Sequence, residues 1–308
     1  MKKLQSIFKL IRVNQWIKNF SLFAAIIFTG HLFDTEMFIR TSAGFLIFCA
    51  LSSASYIVND ISDVEFDRKH PQKRNRSIAS GEVTIFEALI LTLLLLIFGL
   101  TGSYLLGLGF FAVSLVFVLI HFGYTLWLKQ HALFDILLIA SSFMIRVFAG
   151  EILTALHIPV WLQFSVIFLS LFIASCKRRS ELRHTGGKTR PALEHYKIQL
   201  LDFYNSTFAT GTIVAYAMFT FIPEPETFTP LINEFLEFAY PAAIGRKWLM
   251  VTTLPLIIVG IMRYAQLIYE STNAGEAPER IVMSDKVLIT TLGLWGFMVV
   301  LFTNILVD

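Results

Sequence analysis

Three aspartates, Asp60, Asp63 and Asp67, fall at i, i+3 and i+7 with Asn59 beside them. On a continuing helix all three carboxylates share one face. Like charges on one stripe repel, so something positive must offset them. Two sources are on offer: a divalent cation held between the acids, or the basic residues that follow, Arg68, Lys69, Lys73, Arg74 and Arg76. Mg2+ suits such a set because it binds through one or two carboxylates, keeps several waters and takes its other ligands from substrate phosphates. Acids beside a basic wall describe a diphosphate site. The plainer alternative is a helix end whose acids pair with the following cations in a solvated loop.

The elements that must hold this segment are apolar. The 308 residues are 56% hydrophobic, include 30 Phe and are only 15% charged, with a mean hydropathy of +0.67. A soluble core cannot absorb that much apolar surface. The composition predicts an all-α fold, a polytopic membrane helical bundle. About nine transmembrane helices are expected, at roughly 20–33, 42–58, 83–106, 108–128, 133–150, 160–176, 203–222, 248–269 and 286–307, against a hydrocarbon core of roughly 30 Å. The connections carry no inserted soluble domain, so residues 1–308 read as a single integral-membrane domain.

Cations are distributed unevenly. With the N-terminus inside, the inner segments hold Lys2, Lys3 and the clusters at 68–76 and 177–190, whereas the outer segments hold Arg40, Arg246 and Lys247. This asymmetry predicts a multi-pass protein of the inner (plasma) membrane with the N-terminus and the acidic segment cytoplasmic. A net charge of +3 is too small to call for nucleic acid. It suits attraction to anionic membrane lipids and anionic substrates. Cys49 and Cys176 lie inside apolar runs and read as small core residues.

Further polar residues enter apolar surroundings. Residues 1–19 read as an interfacial amphipathic helix that brings Gln15, Trp16, Lys18 and Asn19 to the membrane boundary, where Trp anchors and Lys snorkels. The stretch from His121 to Arg146 contributes Tyr124, Lys129, Asp135 and Arg146. Lys129, in a short inner turn, also fits a purely topogenic charge. Arg146 lies within an apolar run, where a guanidinium needs a wet cavity or a partner, and Asp135 is eleven residues away, too far along one helix to supply it. After the sixth run a second charged inner loop is expected, opening with Lys177, Arg178 and Arg179, which also fits a positive-inside loop. Thr84 and the pair Ser284–Asp285 stand where helix caps are expected.

These residues carry a family likeness. NDxxDxxxD at 59–67, HPxKR at 70–74 and IASG at 78–81, on about nine apolar helices, together resemble the UbiA superfamily of intramembrane prenyltransferases. QWIKN at 15–19, LKQHALFDILLIASSFMIR at 128–146, KRRSEL at 177–182 and the stretch 263–288 resemble its branch that transfers phosphoribosyl to decaprenyl phosphate. Prenyl-transferring members carry a second acidic motif after the sixth helix, where this chain has KRRSEL, and that departure argues against a prenyl diphosphate donor. Ser77, where the branch usually has Pro, touches only loop stiffness.

The resemblance implies transfer of 5-phosphoribosyl from phosphoribosyl diphosphate to a polyprenyl phosphate lipid, with release of diphosphate. Asn59, Asp60, Asp63 and Asp67 would hold Mg2+ on the leaving group, while Lys73, Arg74 and Arg76 clamp phosphates. Lys18, Tyr124, Lys129, Asp135, Arg146, Lys177, Arg178 and Arg179 would serve the remaining substrate groups, the cations among them neutralising the ribose phosphate and the lipid phosphate. A homo-oligomer is compatible with this reading. One alternative is a prenyltransferase of the same superfamily that moves a polyprenyl group to a small acceptor. Another is a transporter of anionic metabolites, against which the polar residues gather at one membrane face rather than the midplane.

Overall fold

The computed structural model describes residues 2–69, 73–126, 132–185, 196–221, 247–270 and 284–306. Their regular structure is helical, with no strand among the described residues. The elements are α1 (Lys2–Leu10), a 3-10 helix (Val13–Phe23), α2 (Ala24–Phe28), α3 (Thr35–Ser62), α4 (Val64–Lys69), a 3-10 turn (Lys73–Asn75), α5 (Ile85–Leu106), α6 (Leu108–Leu126) and α7 (Ala132–Thr154). After these come α8 (Val160–Thr185), α9 (Ile198–Phe221), α10 (Lys247–Glu270), α11 (Lys286–Val300) and a π-helical turn at Leu301–Ile305.

By length and composition, seven of these helices can cross a membrane: α3, α5, α6, α7, α8, α10 and α11. This is a multi-span membrane protein. Two expected runs differ from the rest. Helix α9 is 24 residues long but diluted by polar side chains such as Asp202, Asn205 and Thr212. The run expected at 20–33 is not one helix, because the 3-10 segment reaches Phe23 and α2 ends at Phe28. The C-terminal π turn explains the early stop. Asn304 Nδ2 and Thr303 Oγ1 donate to the Ile27 carbonyl at 2.7 and 2.8 Å, and Asn304 Oδ1 accepts from the Leu32 amide at 2.9 Å. Side chains thereby satisfy backbone groups that a longer helix would have paired.

The chain packs as two compact units interleaved along the sequence. The first comprises Met1–Phe23, Ile39–Lys129 and Ile145–Ala155, and the second Ala24–Phe38, Gln130–Met144 and Leu156–Asp308. The core of the first unit joins Leu22, Phe48, Leu51, Phe110, Phe117 and Leu153, with the Phe48 and Phe117 rings 5.0 Å apart. Small residues along α3 permit this approach. A Cβ at Gly44 would stand 2.6 Å from Leu153 Cδ2. A smaller cluster of Leu10, Ile57, Ile78, Val83 and Ala88 docks α1 against α3 and the start of α5. Thr84 caps α5 in a reciprocal box with Glu87, as its position suggested.

In the second unit, α8 packs against α9 through Leu171, Ala174 and Leu201. It meets α10 and α11 through Phe172, Cys176, Ile261, Ile268 and Leu288. Asp285 caps α11, accepting from the Leu288 amide at 2.9 Å. Cys49 and Cys176 are buried and free.

Candidate functional site

Helix α3 stops at Ser62 and α4 restarts at Val64, leaving Asp63 in the break. Helical hydrogen bonding still runs through it, from the Asp63 amide to the Asn59 carbonyl (3.0 Å) and from the Asp67 amide to the Asp63 carbonyl (2.8 Å). The acidic stripe therefore survives the interruption. Asp60 and Asp67 are each 4% exposed, and Asp63 is half-buried, accepting from Asn59 Nδ2 at 3.2 Å.

Buried carboxylates need positive partners. Arg76 meets both: its Nη1 donates to Asp60 Oδ1 at 3.1 Å and to Asp67 Oδ2 at 2.7 Å. Arg12, at the end of α1 with a left-handed φ of 52°, pairs with the same Asp60 oxygen. Its guanidinium lies 5.3 Å from the Tyr56 ring centroid. Of the expected basic wall, Arg76 reaches Asp60 and Asp67, with Arg74 exposed and Lys73 half-buried. Arg12 was missed by sequence reasoning, because only folding carries α1 to the end of α3.

The donor set fits Mg2+. Among the described residues no three His, Cys, Asp or Glu side chains converge on one point. Two carboxylates, however, are what Mg2+ uses when phosphates and waters complete its shell. Since a single guanidinium nitrogen touches Asp60 and Asp67 together, both oxygens are within reach of one cation position.

Arg146 is fully enclosed, 1% exposed. Its Nε donates to Asn19 Oδ1 at 2.6 Å, Nη2 reaches Ser52 Oγ at 3.4 Å, and the guanidinium lies 4.7 Å from the Phe117 ring centroid. Asn19 in turn accepts from Ser52 Oγ at 3.2 Å and donates to Cys49 Sγ at 3.3 Å. Gly150 makes this assembly possible. A Cβ there would stand 2.1 Å from the Leu22 carbonyl oxygen, so α7 and the 3-10 segment touch backbone to backbone one turn from Arg146. Lys18 and Tyr124 are half-buried in the same unit. Lys129 lies outside the described residues, and so does the side chain of Asp135, which falls on α7.

The second charged segment differs from its expected form. Lys177–Leu182 is not in a loop but on the last turns of α8, which continues to Thr185. The reason is that its arginines face protein. Arg178 is 1% exposed and pairs with Glu181 on the same helix, while Arg179 is 8% exposed and its Nε pairs with Asp202 on α9. The Arg179 guanidinium also stacks on Tyr269 of α10, whose hydroxyl donates to the same Asp202 oxygen at 2.7 Å. Asn205 Nδ2 donates to that hydroxyl at 3.3 Å, and its own Oδ1 accepts from Ser175 Oγ at 2.6 Å. Among the described residues, Arg179 Nη1 is buried with no hydrogen-bond partner. Lys177 is half-buried. Asp202 and Tyr269 were not singled out from the sequence. A lone acid near the start of a long, largely apolar helix is the signal that would have flagged Asp202.

The curated relatives include the decaprenyl-phosphate phosphoribosyltransferase of Corynebacterium glutamicum, 32% identical over 97% of this chain and 86% of its own length. The enzyme of the same name from Mycolicibacterium smegmatis is 34% identical over 91% of this chain and 86% of that protein. Among solved structures, a UbiA homologue from Archaeoglobus fulgidus bound to GPP and Mg2+ covers 96% of this chain and 99% of its own, with a TM-score of 0.69 at 18% identity, a likeness of fold. Residues 20–284 match the UbiA prenyltransferase family. On the acidic stripe at the end of α3, the helical membrane fold and this near full-length match, the chain belongs to the UbiA prenyltransferase family.

Proposed function

We propose that the protein transfers 5-phosphoribosyl from phosphoribosyl diphosphate to a polyprenyl phosphate, acting as one domain in the inner membrane with its N-terminus and active site cytoplasmic. The observation that carries this reading is Arg179, a buried guanidinium whose Nη1 has no hydrogen-bond partner among the described residues. Such a donor suits a phosphate oxygen beyond those of the leaving diphosphate, and a prenyl diphosphate has none to offer. The similarity to phosphoribosyltransferases over nearly the whole chain supports the same choice. Interleaving of the two units supports a single domain, since neither is a continuous stretch that could be excised.

In the reaction, the bond from the anomeric carbon to the diphosphate oxygen breaks, and diphosphate leaves with the electron pair. An oxygen of the lipid phosphate forms the new bond to that carbon. The nucleophile is already ionised at neutral pH, so no strong general base is required, and the cationic character at carbon resembles that of glycosyl transfer. Asn59, Asp60, Asp63 and Asp67 would hold Mg2+, which when bound stabilises negative charge on the departing oxygens. Arg76, Lys73 and Arg74 serve the diphosphate. Arg146, Lys18, Lys129 and the group Lys177, Arg178 and Arg179 serve the ribose and lipid phosphates, with Tyr124 and Asp135 as further substrate contacts.

Membranes incubated with labelled phosphoribosyl diphosphate, polyprenyl phosphate and Mg2+ test this directly. Label is expected in the organic phase. Its absence there, with transfer of a prenyl group to an aromatic acceptor instead, would replace the sugar donor by a prenyl donor.

A further inference from the structure

The Arg76 Nη1 nitrogen, lying between Asp60 Oδ1 and Asp67 Oδ2 at 3.1 and 2.7 Å, stands where a cation shared by these two carboxylates must stand. Both cannot be there at once. Displacement of Arg76 is feasible because its side chain is 30% exposed, whereas the carboxylate side chains it holds are only 5% exposed. Asp60 also keeps a second positive partner in Arg12 when Arg76 departs.

We propose that Arg76 is an exchange cation, holding Asp60 and Asp67 together until a divalent metal takes the place of its Nη1, after which the freed guanidinium engages the diphosphate that arrives on the metal. The proposal rests on the metal reading of the acidic stripe and adds an order and a coupling to it. Metal alone binds poorly, because it must expel a guanidinium from two buried carboxylates. Diphosphate offers that guanidinium a new anionic partner and so strengthens metal binding. By linkage the metal strengthens diphosphate binding by the same factor. The arginine thereby keeps a buried acidic pair compensated between turnovers, when unpaired carboxylates would be costly.

The test uses Mn2+, a spectroscopically visible cation with the same preference for oxygen ligands, titrated into the purified full-length protein in detergent without any phosphate compound. Arg76→Gln is compared with wild type and with Lys69→Gln, which removes the same charge from an exposed position on α4. Arg76→Gln is expected to bind Mn2+ at least about tenfold tighter than wild type, and Lys69→Gln within about twofold of it. Melting temperatures give a second readout that does not depend on activity. Without metal, Arg76→Gln should melt below wild type, and saturating Mn2+ should raise its melting temperature by more than it raises that of wild type.

Three results overturn the proposal. Equal Mn2+ affinity in wild type and Arg76→Gln, with binding still lost in Asp60→Asn, removes the exchange and leaves the metal site standing. An equal gain in Arg76→Gln and Lys69→Gln reduces the effect to general charge and also removes the exchange. Failure of every protein to bind Mn2+ removes the exchange and the metal reading together.

Discussion

The guanidinium carbon of Arg179 lies 3.5 Å from the centroid of the Tyr269 ring, and the hydroxyl of that tyrosine shares the Asp202 oxygen with the Arg179 Nε. Three helices, α8, α9 and α10, thus fix one arginine by a stack, an ion pair and a common acceptor. A guanidinium held this way is pre-aimed, which lowers the ordering cost of gripping an anion.

Tyr269→Phe keeps the stack and loses the hydroxyl, whereas Tyr269→Leu loses both. We expect Tyr269→Phe to raise the KM for a phosphate-bearing substrate by a fewfold and Tyr269→Leu by about tenfold or more, with kcat less affected than KM. Steady-state kinetics of the three proteins check the order. Normal KM values in Tyr269→Leu would show that the stack serves folding alone.

The acid pair makes a sharper demand. Asp60→Asn and Asp67→Asn should each cut turnover at least about a hundredfold, because in the proposed reaction each would remove a ligand of the metal that stabilises the leaving diphosphate. Asp63→Asn should also lose activity, though its half-buried place in the helix break leaves it the more tolerant of the three. Turnover measured in detergent beside melting curves separates this from unfolding. Near-normal rates in all three variants would remove the metal site.

Arg146 depends on a backbone contact rather than on its own helix. Gly150→Ala drives a Cβ against the Leu22 carbonyl, which cannot give way as a flexible side chain would. The 3-10 segment must shift, separating Asn19 from Arg146, and overpacking of this kind costs about 1–3 kcal/mol. Arg146→Lys should fold yet lose activity, since an ammonium lacks the planar fork that grips a phosphate. Full activity in Arg146→Leu at unchanged thermal stability would show the residue to be idle.

The cap of α11 has a pH signature. Hydrogen bonds from Arg263, and then from the Leu288 amide, hold the Asp285 carboxyl below its ordinary range. A depressed folded-state pKa contributes stability above the unfolded value, and that contribution fades as pH falls through the folded value. Asp285→Asn retains a capping oxygen but not the charge. It should therefore melt below wild type at neutral pH, with the gap closing as the medium becomes strongly acidic. A gap that stays constant with pH would place the effect elsewhere.

Sequence by itself determined the membrane class, the acidic stripe and the caps, because each is written in local spacing. Apolar runs of bilayer length, acids at i, i+3 and i+7, and Thr84 three residues before Glu87 need no knowledge of distant chain. Family resemblance added the reaction class on similarly contiguous motifs. Only the tertiary structure decided which charge meets which. Arg12 and Asp60 are 48 residues apart, Tyr269 and Asp202 are 67, and Arg146 and Asn19 are 127, separations that no periodicity links. The same cause turned Lys177–Leu182 from an expected loop into the end of α8. The buried Arg179 remains helical because other helices supply its counter-charge and its stacking partner, and those partners, Asp202 on α9 and Tyr269 on α10, become neighbours only when the chain has folded.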